Sequence, residues 1–125
     1  MKKKLWTGRI LSALPALLLL TSGINLIFIQ TPDVRTQFAR FSFPENLIPV
    51  IGIVELVCVV TYLIPRTAVL GAILVTAYLG GAVATHVRVN DPVWPAPALV
   101  AVMMWLGLYL REERLKPLVP LRDLR

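Results

Sequence analysis

The residue whose position in this sequence most favours chemistry is Glu55, the single acidic side chain in an apolar run from Leu47 to Ile64. An ionised carboxylate at the centre of a bilayer costs roughly 2.5–3.5 kcal/mol, so such residues occur mainly where they face a bundle interior or a water-filled path. Proton transfer and hydrogen bonding to a ligand are the chemistry open to a carboxyl group in such a place. The alternative is a structural role, in which a neutral Glu55 hydrogen-bonds a neighbouring helix and fixes its register.

Three more polar residues, Asn25, His86 and Arg88, lie near the ends of apolar segments. At a rise of 1.5 Å per residue, Asn25 would lie about 6 Å, Glu55 about 12 Å and His86 about 3 Å below one membrane surface. These depths predict one cavity that opens outward, ends at Glu55 and has Arg88 at its mouth. The structural alternatives are a hydrogen bond from Asn25 to a neighbouring helix and an interfacial position for His86.

Four apolar segments, about 10–29, 47–64, 67–87 and 93–110, have to position these side chains. A spanning helix needs about 17–25 residues, so the second and fourth segments are near the short limit. We therefore expect an all-α membrane protein, with residues 1–125 forming a single domain of four transmembrane helices.

The lysines at positions 2–4 resemble the start of a signal peptide, but the first segment is too long and has no small-residue cleavage site. We expect an uncleaved first helix.

The composition supports the membrane assignment and excludes several kinds of site. The chain is 57% hydrophobic and 16% charged, against about 45–50% and about 25% in soluble domains. Its net charge of +6 comes from basic residues that flank the apolar segments, so we expect no nucleic-acid partner. One cysteine, Cys58, and one histidine cannot build a disulfide, a bis-histidine haem site or a usual zinc site in one chain. The sequence shows no flavin site or catalytic motif, which favours a protein that is not an enzyme.

The basic residues predict the orientation in the membrane. Cytoplasmic ends of membrane helices carry an excess of lysine and arginine. With the N-terminus inside, ten basic residues fall on the cytoplasmic side and three, Arg35, Arg40 and Arg88, on the other. We therefore expect a multi-pass protein of the plasma membrane, bacterial in origin, with both termini in the cytoplasm. The ten cytoplasmic residues are Lys2, Lys3, Lys4, Arg9, Arg66, Arg111, Arg114, Lys116, Arg122 and Arg125.

The long connection between the first two segments contains a helix signal. Thr31, Pro32 and Asp33 are typical of a cap, a first-turn proline and an acidic first turn. Val34, Phe38 and Phe41 then recur at helical spacing. This pattern predicts a short amphipathic helix on the outer membrane surface; an irregular loop is the alternative.

Small residues recur every four positions along the third segment. Membrane helices associate through close packing, for which small residues make room. The pattern predicts that the third span is central and that Gly80 and Gly81 lie at helix–helix contacts. A ligand groove opened by these glycines is the alternative. The row contains Ala68, Ala72, Thr76, Gly80 and Ala84, and a second row contains Ala77, Gly81 and Thr85.

Several stretches in combination resemble the DoxX-like family of small four-helix membrane proteins, over nearly the whole chain. Family members often carry a lysine near the end of the first helix, where this chain has Gly23-Ile24-Asn25-Leu26. The matching stretches are Gly52-Ile53-Val54-Glu55-Leu56, residues 64–72 (IPRTAVLGA), residues 78–86 (YLGGAVATH), Arg88 with Asp91-Pro92, and residues 105–111 (WLGLYLR).

The resemblance implies a fold more firmly than an activity. The family name derives from a subunit of a quinol-oxidising respiratory complex, and some relatives are linked to thiosulfate oxidation or oxidative-stress complexes. Three functions follow: an accessory subunit of a quinone-linked redox system, a proton-coupled small-molecule transporter, or a structural protein for assembly. In the first, Glu55 and His86 would contact a quinone, and electrons would pass to a redox-complex partner. The lipid bilayer and a second copy of the chain are the other expected partners.

Overall fold

A computed structural model describes residues 2–124, which form five α-helices and no β-strand. Met1 and Arg125, the last of the basic residues assigned to the cytoplasm, lie outside this range. Three stretches, Lys2–Ile29, Glu45–Leu63 and Pro65–Arg88, are long and apolar enough to cross a membrane. The expected all-α architecture is confirmed, and each of the four apolar segments is helical. The helices are α1 (Lys2–Ile24), α2 (Pro32–Arg40), α3 (Ile48–Leu63), α4 (Ala68–Arg88) and α5 (Pro95–Arg111, the shorter apolar helix).

The four long helices pack as a ring. Helix α1 packs against α3 and α5, and α4 also packs against α3 and α5. The expectation that the third span is central is therefore wrong, because each helix has two main neighbours. We call the end of the bundle where α1 begins and α5 ends the proximal end, and the end that holds α2 the distal end.

Glycines at the ring contacts let the helices approach closely. A Cβ atom at Gly8 would lie 2.8 Å from the carbonyl oxygen of Gly107, across the α1–α5 contact. A Cβ atom at Gly71 would lie 2.1 Å from the backbone nitrogen of Tyr62, beside the tight turn between α3 and α4. These contacts lie toward the proximal end, where the short connection of residues 64–67 keeps α3 and α4 together.

Gly80 and Gly81 do not lie at helix–helix contacts, contrary to the sequence-based expectation. Both are exposed, and a Cβ atom at either would meet nothing within 4 Å. The row of small residues packs only near the turn, where Ala68 and Ala72 are buried. Farther along α4 the space beside Gly81 is open. Small residues allow two helices to approach closely but do not make them do so. Beside Gly81, side chains of α2 line the open space.

Helix α2 begins as the sequence indicates. The Thr31 side chain accepts a hydrogen bond from the Val34 nitrogen at 3.4 Å, and Pro32 is the first helical residue. A π-helical turn, Asn25–Ile29, ends α1, and Gln30 then takes a left-handed conformation (φ 50°) that redirects the chain into α2.

Candidate ligand cavity

A cavity of about 610 Å³ lies between the distal halves of α3 and α4, under α2. This volume is within the range of small-molecule sites, which are mostly apolar with a few placed polar groups. The apolar lining comes from Leu26, Val34, Phe38, Phe41, Phe43, Leu47, Val50, Ile51, Val54, Ala77, Gly81 and Ala82. The polar lining comes from Ser22, Gln37, Tyr78, Thr85 and His86.

His86 presents an imidazole to this cavity. Its Nδ1 lies 2.7 Å from the carbonyl oxygen of Ala82. Because a carbonyl only accepts, Nδ1 carries the proton, and Nε2 of the neutral ring is an acceptor. The ring also packs edge-on against Phe41, with 4.9 Å between the ring centres. The helix and the aromatic ring of Phe41 thus fix the orientation of the imidazole.

Glu55 borders the cavity without lining it. The side chain is 4% exposed, and the hydroxyl groups of Ser22 and Tyr78, which do line the cavity, interact with its carboxyl group. Oε2 has no hydrogen-bond partner among residues 2–124. Buried polar atoms are nearly always hydrogen-bonded, so such an atom calls for a water molecule or a ligand group. Glu55 lies on the inward-facing side of α3, together with the buried residues Gly52, Cys58 and Tyr62.

Asn25, which the sequence predicted inside the cavity, and Arg88, which it predicted at the mouth, are not among the lining residues. Asn25 Oδ1 accepts a hydrogen bond from the Thr31 nitrogen at 3.3 Å, within the turn that leads to α2. Arg88 donates to the carbonyl oxygen of Phe41. Both side chains satisfy backbone groups that the helix ends leave free. They therefore hold α2 over the cavity, and of the predicted residues only His86 and Glu55 come to its polar wall.

Two cavity residues that the sequence analysis did not assign complete this wall. Tyr78 precedes His86 by eight residues, about two helical turns, so both lie on one face of α4. That spacing could have identified Tyr78 from the sequence. Ser22 lies about one turn before Asn25 on α1, and no comparable signal marks it.

An ion pair, also not anticipated, holds α2 to the α4–α5 connection. Arg40 Nη2 lies 3.2 Å from Asp91 Oδ2. The other carboxylate oxygen of Asp91 accepts a hydrogen bond from the Val93 nitrogen at 3.0 Å. Asp91 is 6% exposed, so these two partners compensate the cost of burying its carboxyl group.

Comparison with known proteins gives one match. A sequence model described as the DoxX-like family matches residues 10–107, a range that includes every residue lining the cavity. No curated protein and no solved structure matches the chain.

Proposed function

Because this chain belongs to the DoxX-like family, we propose that it is an accessory membrane subunit of a quinone-linked redox system that binds a quinone in the distal cavity. The observation that carries this proposal is the composition of the cavity: aromatic and aliphatic walls, with one polar wall of His86, Tyr78 and Ser22. A flat ring with polar oxygens and an apolar tail matches such a site.

The proposal places the protein in the plasma membrane of a bacterium, with four spanning helices, α2 on the outer surface and both termini in the cytoplasm. Three long apolar helices support it, and α5, with 17 residues, is at the lower limit for spanning. Large apolar side chains point away from the bundle, including Leu14 (59% exposed) and Phe28 (77% exposed). Lipid would cover these faces.

The polar wall fits a quinone head group by the chemistry of its side chains. Tyr78 and Ser22 carry hydroxyl donors, and His86 offers Nε2. A bound quinone would supply a reversible exchange of two electrons and two protons. Glu55 would hold a proton on its carboxyl group and exchange it with the cavity through the hydroxyls of Tyr78 and Ser22, which interact with that group. The proposal assigns electron transfer to a partner protein of the redox complex or to a second copy of this chain.

Two glycine variants test the cavity directly. In Gly81→Leu the new side chain would grow into the cavity without a clash, because a Cβ atom there meets nothing within 4 Å. Gly80→Leu is the matched control, since its site is equally open and does not line the cavity. The measurement is equilibrium dialysis of a short-chain ubiquinone analogue against the purified protein in detergent.

We expect Gly81→Leu to bind the quinone analogue at least about tenfold more weakly, a loss of about 1.4 kcal/mol, and Gly80→Leu to bind it as the wild type does. Quinone extracted with the wild-type protein from membranes should decrease in parallel. Binding that is absent in the wild type, or equal in the two leucine variants, would contradict the proposal.

A proton-coupled transporter is the second candidate, favoured by the buried carboxyl group beside a cavity. A pH gradient would then drive uptake of a small apolar compound into proteoliposomes, and Glu55→Gln would abolish the gradient dependence. Wild-type assembly and function of Glu55→Gln would instead favour a structural role for this residue.

A further inference from the structure

A smaller cavity, of about 240 Å³, lies at the proximal end of the bundle, away from the distal site. It is formed where the beginning of α1 meets the ends of α3 and α5. Its lining consists of Arg9, Ser12, Ala13, Tyr62, Leu63 and Arg111.

Over the part of the chain that the structure describes, residues 2–124, no ion pair neutralises the two guanidinium groups of this cavity. The ion pairs found over residues 2–124 involve Arg40, Arg114 and Lys116, and none involves Arg9 or Arg111. The Nε atom of Arg111 is buried and has no hydrogen-bond partner among those residues. A buried charged donor without an acceptor is costly. The arrangement therefore calls for an acceptor from outside the chain.

Aromatic rings and a glycine place these guanidinium groups. The Arg111 guanidinium lies 5.9 Å from the centre of the Tyr62 ring, and that of Arg9 lies 5.2 Å from the Trp6 ring, both within cation–π range. A Cβ atom at Gly8 would lie 2.8 Å from Cγ of Arg111. Glycine at this position thus lets the Arg111 side chain lie directly on α1.

The Tyr62 hydroxyl bonds other groups and not Arg111. It donates to the carbonyl oxygen of Met104 at 2.7 Å and accepts from the Ser12 hydroxyl, also at 2.7 Å. Tyr62 is 1% exposed. Its hydroxyl group bonds α1 and α5, and the Arg111 guanidinium lies over its ring.

We propose that this proximal cavity binds a phosphate group between Arg9 and Arg111, either the headgroup phosphate of an anionic phospholipid or free inorganic phosphate. Guanidinium groups match phosphate oxygens with paired hydrogen bonds, and a phosphate oxygen would supply the acceptor that Arg111 Nε lacks. Ala13 and Leu63 give the cavity an apolar side, which suits the adjoining part of a lipid.

The test uses the full-length protein in dodecyl maltoside, with the melting temperature followed as each ligand is added. The ligands are dioleoylphosphatidylglycerol, dioleoylphosphatidylcholine as the zwitterionic comparison, and sodium phosphate at constant ionic strength. The variants are Arg9→Gln, Arg111→Gln and Arg111→Lys. Arg66→Gln is the control, because Arg66 is an exposed residue of the same end and does not line the cavity.

We expect phosphatidylglycerol to stabilise the wild type and Arg66→Gln, with half-saturation at about tenfold higher lipid in Arg9→Gln and Arg111→Gln. Arg111→Lys should fall between, because lysine keeps the charge but loses the planar fork. Stabilisation by sodium phosphate alone, lost in the same variants, would assign the site to soluble phosphate. No stabilisation by either anion, or equal responses of Arg9→Gln and Arg66→Gln, would overturn the proposal. Arg9 is exposed, so its variant carries the test if Arg111→Gln does not fold.

Discussion

At the scale of single residues, Gly71 and Gly80 have opposite environments although they lie on the same helix. A Cβ atom at Gly71 would collide with the backbone of Tyr62, which cannot move without opening the α3–α4 turn, whereas a Cβ atom at Gly80 would meet nothing. We expect Gly71→Ala to lower stability by about 1–3 kcal/mol or more. Gly80→Ala should be neutral or slightly stabilising, since alanine is the better helix former. Thermal unfolding in detergent measures both, and the reverse order would refute this packing.

Tyr62 gives a second prediction. Tyr62→Phe keeps the ring but removes the hydroxyl that joins Ser12 to the carbonyl oxygen of Met104. We expect a loss of about 1 kcal/mol. Because the two side chains share one bond, adding Ser12→Ala to Tyr62→Phe should cost less than the sum of the single changes. Strict additivity, measured by chemical unfolding of the four proteins of the cycle, would show that the bond contributes nothing.

The sequence could identify some site residues and not others for a physical reason. The sequence singled out Glu55 and His86 because burying a polar group in an apolar helix is costly wherever that helix packs. His86 lines the distal cavity, and Glu55 interacts with two of its lining residues. Asn25 and Arg88 bond backbone groups, and depth alone cannot reveal such partners. Their partners, the Thr31 nitrogen and the Phe41 carbonyl oxygen, belong to a turn and a helix end whose exact path the sequence does not specify.

At the scale of elements, α2 is held over the distal cavity by contacts with the end of α4 and the connection that follows it. Arg40 pairs with the buried Asp91, Arg88 donates to the Phe41 carbonyl oxygen, and Phe41 packs on His86. The local cap signal predicted that this helix would form, because capping is a short-range effect. Its docking depends on residues about fifty positions away and was not predicted.

The ion pair between Arg40 and Asp91 provides a test of how α2 is held over the distal cavity. Arg40→Gln leaves the Asp91 carboxylate buried without its cationic partner, so α2 should open more often. The Arg40 side chain is 56% exposed, and solvent screening reduces the effect. We expect backbone amides of residues 34–41 to exchange hydrogen about three- to tenfold faster. Arg35→Gln, an exposed arginine on the same helix, is the control. Equal exchange in both variants would show that the pair does not hold α2.

The row of small residues on α4 shows what patterns cannot determine at this scale. Ala68 and Ala72 pack as the row predicts, but Gly80 and Gly81 face open space. A repeat of small residues identifies a helix face that another helix can approach closely. It does not specify which helix approaches that face, or over what length. Here the short turn fixes the approach at the proximal end only.

At the scale of the whole molecule, the proposed orientation can be checked by cysteine labelling on a Cys58→Ala background. We expect a membrane-impermeant maleimide to label Thr36→Cys on α2 from outside intact cells, and Lys4→Cys only after the membrane is permeabilised. Both positions are exposed, so a difference in labelling reports the side of the membrane. Labelling of Lys4→Cys from outside would refute the orientation.

The contact of α1 with α5 is the most extensive in the bundle, and α5 is synthesised well after α1. At ribosomal rates of ~5–20 residues per second, α1 waits roughly 5–20 s for this partner. Until then, the surface of Gly8 that Gly107 will cover has only lipid or another protein to contact. A chain that stops before α5 therefore leaves this face of α1, with the close-approach surface of Gly8, uncovered by the bundle.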